Sequence, residues 1–262
     1  MGETVRQARL TIRREGGVRT LTIDSPETLN AVDEATLTAL AQAVATPDPE
    51  DRVIVLRGSG RAFCSGADLG AIADADNTGA PTLDAANRLV LELTRSPLPV
   101  VSVIQGPCAG IGVSLALAAD LVVASAAAYF QLAFARVGLM PDGGATALVA
   151  ASIGRGTALR LALLAERLSA AEALSLGLVA RVAPAEELES VVAEVVATLA
   201  GGPAAALART KAAINQATLP HLPAALETER GGQLGLLRGG DFVEGVTAFR
   251  ERRPAVFTDT PG

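Results

Sequence analysis

The chain has 262 residues, half of them apolar, which is enough to bury one large hydrophobic core. Its net charge is −6 at pH 7, from 22 basic and 28 acidic residues, and this balance argues against RNA binding because no basic patch is present. Two cysteines, Cys64 and Cys108, are too few for a disulfide framework. With no apolar leader in the first 17 residues, we expect a cytoplasmic protein.

The first predicted elements are strands. Apolar and polar residues alternate on both sides of Gly16-Gly17 in "LTIRREGGVRTLTI", which predicts a hairpin or two adjacent strands. A helix is predicted over 33–45, where Asp33 is a candidate N-cap before apolar residues at helical spacing. Further elements follow in chain order: a strand at 53–58, a helix at 82–95 and a strand at 99–106.

The middle of the chain alternates short strands, predicted at 121–125, 129–134 and 178–183, with helices. This alternation favours an α/β fold with a mostly parallel sheet buried on both faces. After Pro184 the strand patterns stop and four helices are predicted. We therefore divide the chain into an α/β core over 1–200 and a helical segment over 201–262, which packs on the core or on a neighbouring subunit.

The sequence lacks the residues that several classes of enzyme require. The only histidine, His221, lies between prolines in the helical segment, far from the strand ends, and is interpreted as a surface or interface residue. The serine of "FCSG" has Phe63 where a nucleophile elbow needs glycine. No phosphate-binding or dinucleotide motif and no cluster of metal ligands occurs, so we expect neither a metal nor a redox cofactor.

Two glycine-containing loops follow predicted strands, "GRAFCSGADLGAI" at 60–72 and "GPCAGIGVSLALAAD" at 106–120. Glycines let the backbone approach a ligand and direct N–H groups at it. Two such donors converging on one oxygen would form an oxyanion hole. From spacing alone, two tight strand-to-helix turns explain the loops equally well.

A single carboxylate, Asp142, lies in the apolar stretch "VGLMPDGGAT". Pro-Asp-Gly is typical of a type I turn, and aspartate is also a common helix N-cap, so these ten residues favour a turn or cap role. A catalytic role is the alternative.

The chain resembles the crotonase superfamily, the enoyl-CoA hydratase/isomerase family. The segments that carry the resemblance are "LNAVDEATL", "GRAFCSGADL", "GPCAGIGVSLALAADLVVAS", "FARVGLMPDGGAT", "AAEALSLGLVARV" and "GVTAFRERRPAVF", in the family's order. The resemblance implies a crotonase-like spiral of ββα units around an acyl-CoA site, with coenzyme A as part of the substrate. It also implies homotrimers, or dimers of trimers, held by the C-terminal helices.

Residue by residue, the resemblance places the oxyanion donors on the backbone N–H groups of Ala67 and Ile111. The carboxylates of Asp68 and Asp120 are interpreted as structural. Arg252, with Arg253 as a second candidate, is expected to meet the phosphates of coenzyme A, unless this region is only a solvated run of charge. The implied substrate- and coenzyme-A-binding positions are Ala62, Ser65, Gly66, Asp68, Leu69, Gly110, Ser114, Phe134 and Arg252.

The chain differs from the family at the positions of the family's catalytic acids. Hydratases of the family use two glutamates to add water, and the matching positions here are Ser114 and Phe134, neither of which is an acid or base near neutral pH. Isomerase branches, including the dienoyl-CoA and phenylacetate-pathway ring isomerases, carry a catalytic aspartate where this chain has Asp142. The resemblance thus implies an isomerase in which Asp142 is the single proton shuttle. Residues 72–90 follow the first loop, and their polar start and Gly-Ala-Pro centre predict a mobile lid over the acyl pocket. A hydratase with other acid/base residues and a non-catalytic acyl-CoA-binding homologue are the alternatives.

Overall fold

The computed structural model describes residues 3–7, 9–69 and 79–260. Its strands are β1 (Glu3–Gln7), β2 (Leu10–Glu15), β3 (Val18–Ile23), β4 (Val53–Gly58), β5 (Val100–Ile104), β6 (Pro107–Ala109), β7 (Leu121–Ser125), β8 (Tyr129–Gln131), β9 (Leu168–Ser169) and β10 (Arg181–Ala183). Its α-helices are α1 (Glu34–Ala45), α2 (Ala80–Arg95), α3 (Ile111–Leu117), α4 (Ala145–Leu164), α5 (Ala170–Ser175), α6 (Leu188–Ala200), α7 (Ala204–Thr218), α8 (Leu222–Leu236) and α9 (Gly240–Glu251).

The larger sheet has seven strands in the order β1-β2-β3-β4-β5-β7-β10. The predicted hairpin is confirmed, since β2 and β3 pair antiparallel around Gly16 and Gly17, which both have positive φ. From β3 onward every pair is parallel, as the alternation of strands and helices predicts. The α/β fold class is thereby confirmed.

Both faces of the parallel part are buried. Ile54 and Leu56 of β4 face the main core, whereas Val53 and Val55 face a second cluster with Val192 and other apolar residues of α6. This explains why the strand sequences are continuous apolar runs rather than alternating ones.

A smaller sheet of β6, β8 and β9 was not predicted. The strand expected over 129–134 is wrong beyond Gln131, because β8 pairs with only three residues of β6 and the chain then forms a 3-10 helix at Ala133–Val137. The strand expected from 178 begins at Arg181. The other predicted strands and helices are present, with ends shifted by at most about two residues.

Helix α4 is the one helix in the described part of the chain that is long and apolar enough to cross a membrane, with a hydropathy of 1.4. Gly154, at φ 78° and ψ 157°, breaks it into two shorter helices. Leu148 and Val149 of its first half belong to the core. Neither half approaches the ~20 apolar residues that a span requires.

The four helices predicted after Pro184 are α6 to α9, and they pack on the chain's own core. Helix α8 contacts α2 and α4, and α9 contacts the 3-10 helix at Ala133–Val137. The division into 1–200 and 201–262 stays a prediction.

Helix α7 is fixed to the core by an ion pair whose cation, Lys211, is buried and whose anion, Asp120, is partly exposed. Lys211 Nζ lies 2.8 Å from Asp120 Oδ2 and also donates to the carbonyl oxygens of Leu93 and Leu98. Asp120 in turn accepts from the N–H of Val100. The carboxylate of Asp120 thus ties a strand and a helix together.

We expect Lys211→Met to lower the free energy of unfolding by about 1–3 kcal/mol, because it leaves two carbonyl oxygens without their donor and the partly exposed carboxylate of Asp120 without its cation. Arg209→Met, on the exposed side of the same helix, should change it by less than about 0.5 kcal/mol. Urea denaturation of both variants measures the difference. Equal losses would show that the ion pair does not hold α7.

Candidate active site

A cavity of about 360 Å³ opens where the two glycine-containing loops meet helices α2 and α8. The described part of its wall is mostly apolar. Of the residues implied by the resemblance, those that line it are Ser65, Gly66, Ala67, Leu69, Gly110, Ile111, Phe134 and Asp142. The first residues of α2, including Thr82 and Leu83, also line it, whereas residues 72–78 of the expected lid lie outside the described residues.

The two loops touch at Gly66 and Gly110. A Cβ atom at Gly110 would lie 3.4 Å from the Cα of Gly66, and both residues have positive φ, at 119° and 55°. Among the described residues, no acceptor is recorded for the backbone N–H of Ala67 or of Ile111. Both residues line the cavity.

Four implied positions do not line the described cavity. Ala62, in the first loop, is buried, and its carbonyl accepts from the side chains of Asn30 and Gln105. The others are Asp68, which pairs with Arg9, Ser114, which is fully buried, and Arg252, which is exposed at the end of α9.

Arg253 and the lone histidine, His221, are both exposed on the surface. Arg253, the second candidate for a phosphate contact, is engaged by Glu244 and Glu251. His221 is exposed at the start of α8, as the sequence predicts. No group of three or more His, Cys, Asp or Glu side chains in the described residues is arranged to hold a metal ion.

Asp142 lies in the turn before α4, but not as expected for a cap. Its carbonyl accepts from Ala145 in a turn over 142–145, whose two central residues, Gly143 and Gly144, both have positive φ. The type I turn expected with Pro141 and Asp142 at its centre stays a prediction. The N-cap residue is Gly144, and the side chain of Asp142 accepts no hydrogen bond from the helix N-terminus. A Cβ at Gly143 would fall 2.2 Å from Cδ1 of Ile111, the movable end of a side chain, so the φ of 61° rather than this contact is what favours glycine.

The carboxyl group of Asp142 is buried at the cavity wall. Its Oδ2 accepts from Gln233 Nε2 at 2.9 Å, whereas Oδ1 is buried without a partner among the described residues. Burial raises the pKa of Asp142 to about 7, the hydrogen bond from Gln233 lowers it, and the charge of Glu229 raises it. Near neutral pH this carboxyl can both accept and release a proton.

Helix α8 supplies two site residues that the sequence analysis missed. Glu229 accepts from the N–H groups of Gly144 and Thr146, at 2.6 and 2.8 Å, and thereby caps α4 in place of Asp142. Gln233, four residues later, contacts Asp142 itself. The sequence spacing could have indicated that these side chains are buried, because Glu229 and Gln233 continue the buried helix face that begins with Leu222 and Leu226.

Comparison with known proteins gives a family match over residues 13–260, to the model described as enoyl-CoA hydratase/isomerase. The chain is 42% identical over 253 residues to a "Probable enoyl-CoA hydratase" of Rhodobacter capsulatus, covering 95% of this chain and 98% of the relative. It is 38% identical over 252 residues to the 1,2-epoxyphenylacetyl-CoA isomerase of Escherichia coli, covering 93% and 96%.

Among solved structures, an enoyl-CoA hydratase from Mycobacterium avium subsp. paratuberculosis is 50% identical, with a TM-score of 0.90 and coverage of 96% of this chain and 99% of that chain. The fold is therefore that of the crotonase superfamily. The chain belongs to the enoyl-CoA hydratase/isomerase family, whose enzymes act on acyl-CoA thioesters.

Proposed function

We propose that the protein is an acyl-CoA isomerase that moves a carbon–carbon double bond, with Asp142 as its single proton shuttle. One observation carries this proposal: Asp142 is the only carboxylate among the described residues that line the cavity. The isomerase of Escherichia coli among the relatives is consistent with it.

In the proposed reaction the thioester carbonyl accepts hydrogen bonds from the N–H groups of Ala67 and Ile111. The carboxylate of Asp142 removes an α or γ proton, and the electrons of that C–H bond move into the thioester to form an enolate. Asp142 then returns the proton to another carbon while the double bond moves. No atom is gained or lost, so neither a water molecule nor a cofactor beyond the coenzyme A of the substrate takes part.

The surroundings of Asp142 support this chemistry over hydration. Ser114 donates its hydroxyl to the carbonyl oxygen of Asp142 at 2.7 Å, so it supports the turn and activates no water. Phe134 presents an apolar ring to the cavity. The two positions at which the family's hydratases carry glutamates thus hold groups that cannot transfer a proton near neutral pH.

A hydratase is the second candidate, favoured by the printed names of the Rhodobacter capsulatus relative and the Mycobacterium avium structure. It would require a second acid or base, which the described cavity wall does not offer as a carboxylate or histidine.

We expect Asp142→Asn to slow isomerisation by at least ~100-fold, because the amide keeps the size and the contact with Gln233 but has no basic oxygen. Affinity for a substrate analogue should stay within a few fold, since Ala67 and Ile111 are unchanged. Glu194→Gln, at an exposed position of α6, is the matched control. A screen of 2-enoyl, 3-enoyl, dienoyl and ring-acyl thioesters supplies the substrate, and an Asp142→Asn variant as fast as the parent would end the proposal.

The proposal extends to the assembly, a homotrimer or a dimer of trimers. Apolar side chains are exposed on two helices, Leu163 and Leu164 on α4 and Val243 and Phe249 on α9. Neighbouring subunits would cover these faces. In that arrangement Arg252, exposed at the end of α9, would meet the phosphates of coenzyme A. A cytoplasmic location stays a prediction.

Light scattering should therefore give a mass three or six times that of the chain. The double change Leu163→Glu and Leu164→Glu should shift the mass toward the monomer, because it places charges on a face that is buried in the assembly. A parent protein that is monomeric at micromolar concentration would contradict the proposed assembly.

A further inference from the structure

The side-chain amide of Gln233 is fixed in orientation by its two partners. Its Oε1 accepts from the backbone N–H of Met140 at 3.1 Å, and its Nε2 donates to Asp142 Oδ2 at 2.9 Å. A backbone N–H can only donate, so the oxygen of the amide must face Met140 and the nitrogen must face Asp142. With 1% of its surface exposed, Gln233 has little room for another conformation.

This contact makes the two oxygens of Asp142 inequivalent. Oδ2 is occupied by the donor from Gln233, whereas Oδ1 is buried without a partner among the described residues. A buried carboxylate oxygen that lacks a partner is unfavourable unless a ligand or a proton reaches it. Asp142 and Gln233 both line the cavity, although Oδ1 itself has almost no exposed surface.

The backbone around the carboxylate is held from the same helix. Glu229, on the same face of α8 as Gln233, accepts from Gly144 and from both the N–H and the hydroxyl of Thr146. Leu222 and Leu226 of this face lie against Gly144. The turn is therefore anchored after Asp142 by Glu229 and before it by Gln233, which binds Met140.

Resting on the proposed function of Asp142, we propose that Gln233 is a positioning residue that holds the carboxyl group of Asp142 in one orientation for proton transfer to and from the substrate. Gln233 also favours the ionised base, because it donates to the charged form. The charge that opposes ionisation comes from Glu229 on the same helix. The other titratable groups of the described cavity wall, Arg136, Arg167 and Tyr129, do not contribute to the shift.

The pH dependence of kcat/KM tests this role. In the parent, kcat/KM should rise with pH through about 7, because Asp142 must be deprotonated to remove the first proton. Gln233→Leu removes the donor to the carboxylate, so the rise should move upward by about 1 pH unit, and kcat should fall by up to ~100-fold as the carboxylate loses its fixed geometry. Gln233→Met, which is close to glutamine in size, also has no donor, so the rise of kcat/KM should move upward by a similar amount.

Gln131→Leu is the matched control, because Gln131 is also a buried glutamine of the cavity wall but donates to the carbonyl of Ala165 instead. Whatever its rate, its kcat/KM should rise at the same pH as in the parent. Thermal unfolding checks that the variants are folded, and Gln233→Met carries the test if Gln233→Leu does not fold.

The outcomes separate the inference from the proposed function. If Asp142→Asn is inactive but both Gln233 variants keep the parent's pH profile, Gln233 is a structural tie and the inference is wrong. If Asp142→Asn is as active as the parent, the proposed function itself fails. The positioning role is supported if the pH at which kcat/KM rises moves upward in the Gln233 variants and stays at the parent's value in Gln131→Leu.

Discussion

The burial of one carboxyl group, that of Asp142, is the constraint on which the site depends. A carboxylate away from water is unfavourable unless it is hydrogen-bonded or protonated, and here one oxygen is bonded while the other has no partner in the described part of the chain. The structure tolerates this because α8 holds the turn from both sides, through Glu229 and Gln233. The same burial raises the pKa of Asp142 to about 7, which suits a group that must take up and release a proton.

The C-terminal helical segment is thus part of the site as well as a candidate surface for assembly. Helix α8 belongs to this segment, yet it caps α4 and contacts Asp142. Helix α7 is fixed to the sheet by the ion pair of Lys211 and Asp120, which confirms the structural interpretation of that aspartate. Loss of the segment would remove the side chains that hold the turn.

Local periodicity predicted most of the fold. The hairpin at Gly16-Gly17, the strand at 53–58 and the helix capped by Asp33 are present because alternation, apolar runs and capping are local properties. The strand at 129–134 is wrong in its second half because its end is decided by the short partner strand β6, which lies far away in the sequence.

Only the parts of the site that lie within local sequence motifs were predicted. The family motifs located Asp142 and the two loops, and the structure brings both loops and Asp142 to one cavity. Capping by Glu229 and the bond from Gln233 join residues more than 80 positions apart, which spacing alone cannot show. The interpretation of Asp142 as a helix cap failed because a carboxylate from α8 takes that role. The catalytic and oxyanion assignments stay predictions.

If this cavity moves a proton without adding water, no oxygen from the solvent should enter the product. The protein is incubated with 2-enoyl and 3-enoyl-CoA thioesters in water enriched in oxygen-18, and the products are analysed by mass spectrometry and NMR. We expect a product of the same composition as the substrate, with the double bond moved and no oxygen-18. A product heavier by one labelled water, formed at the rate at which substrate disappears, would contradict it.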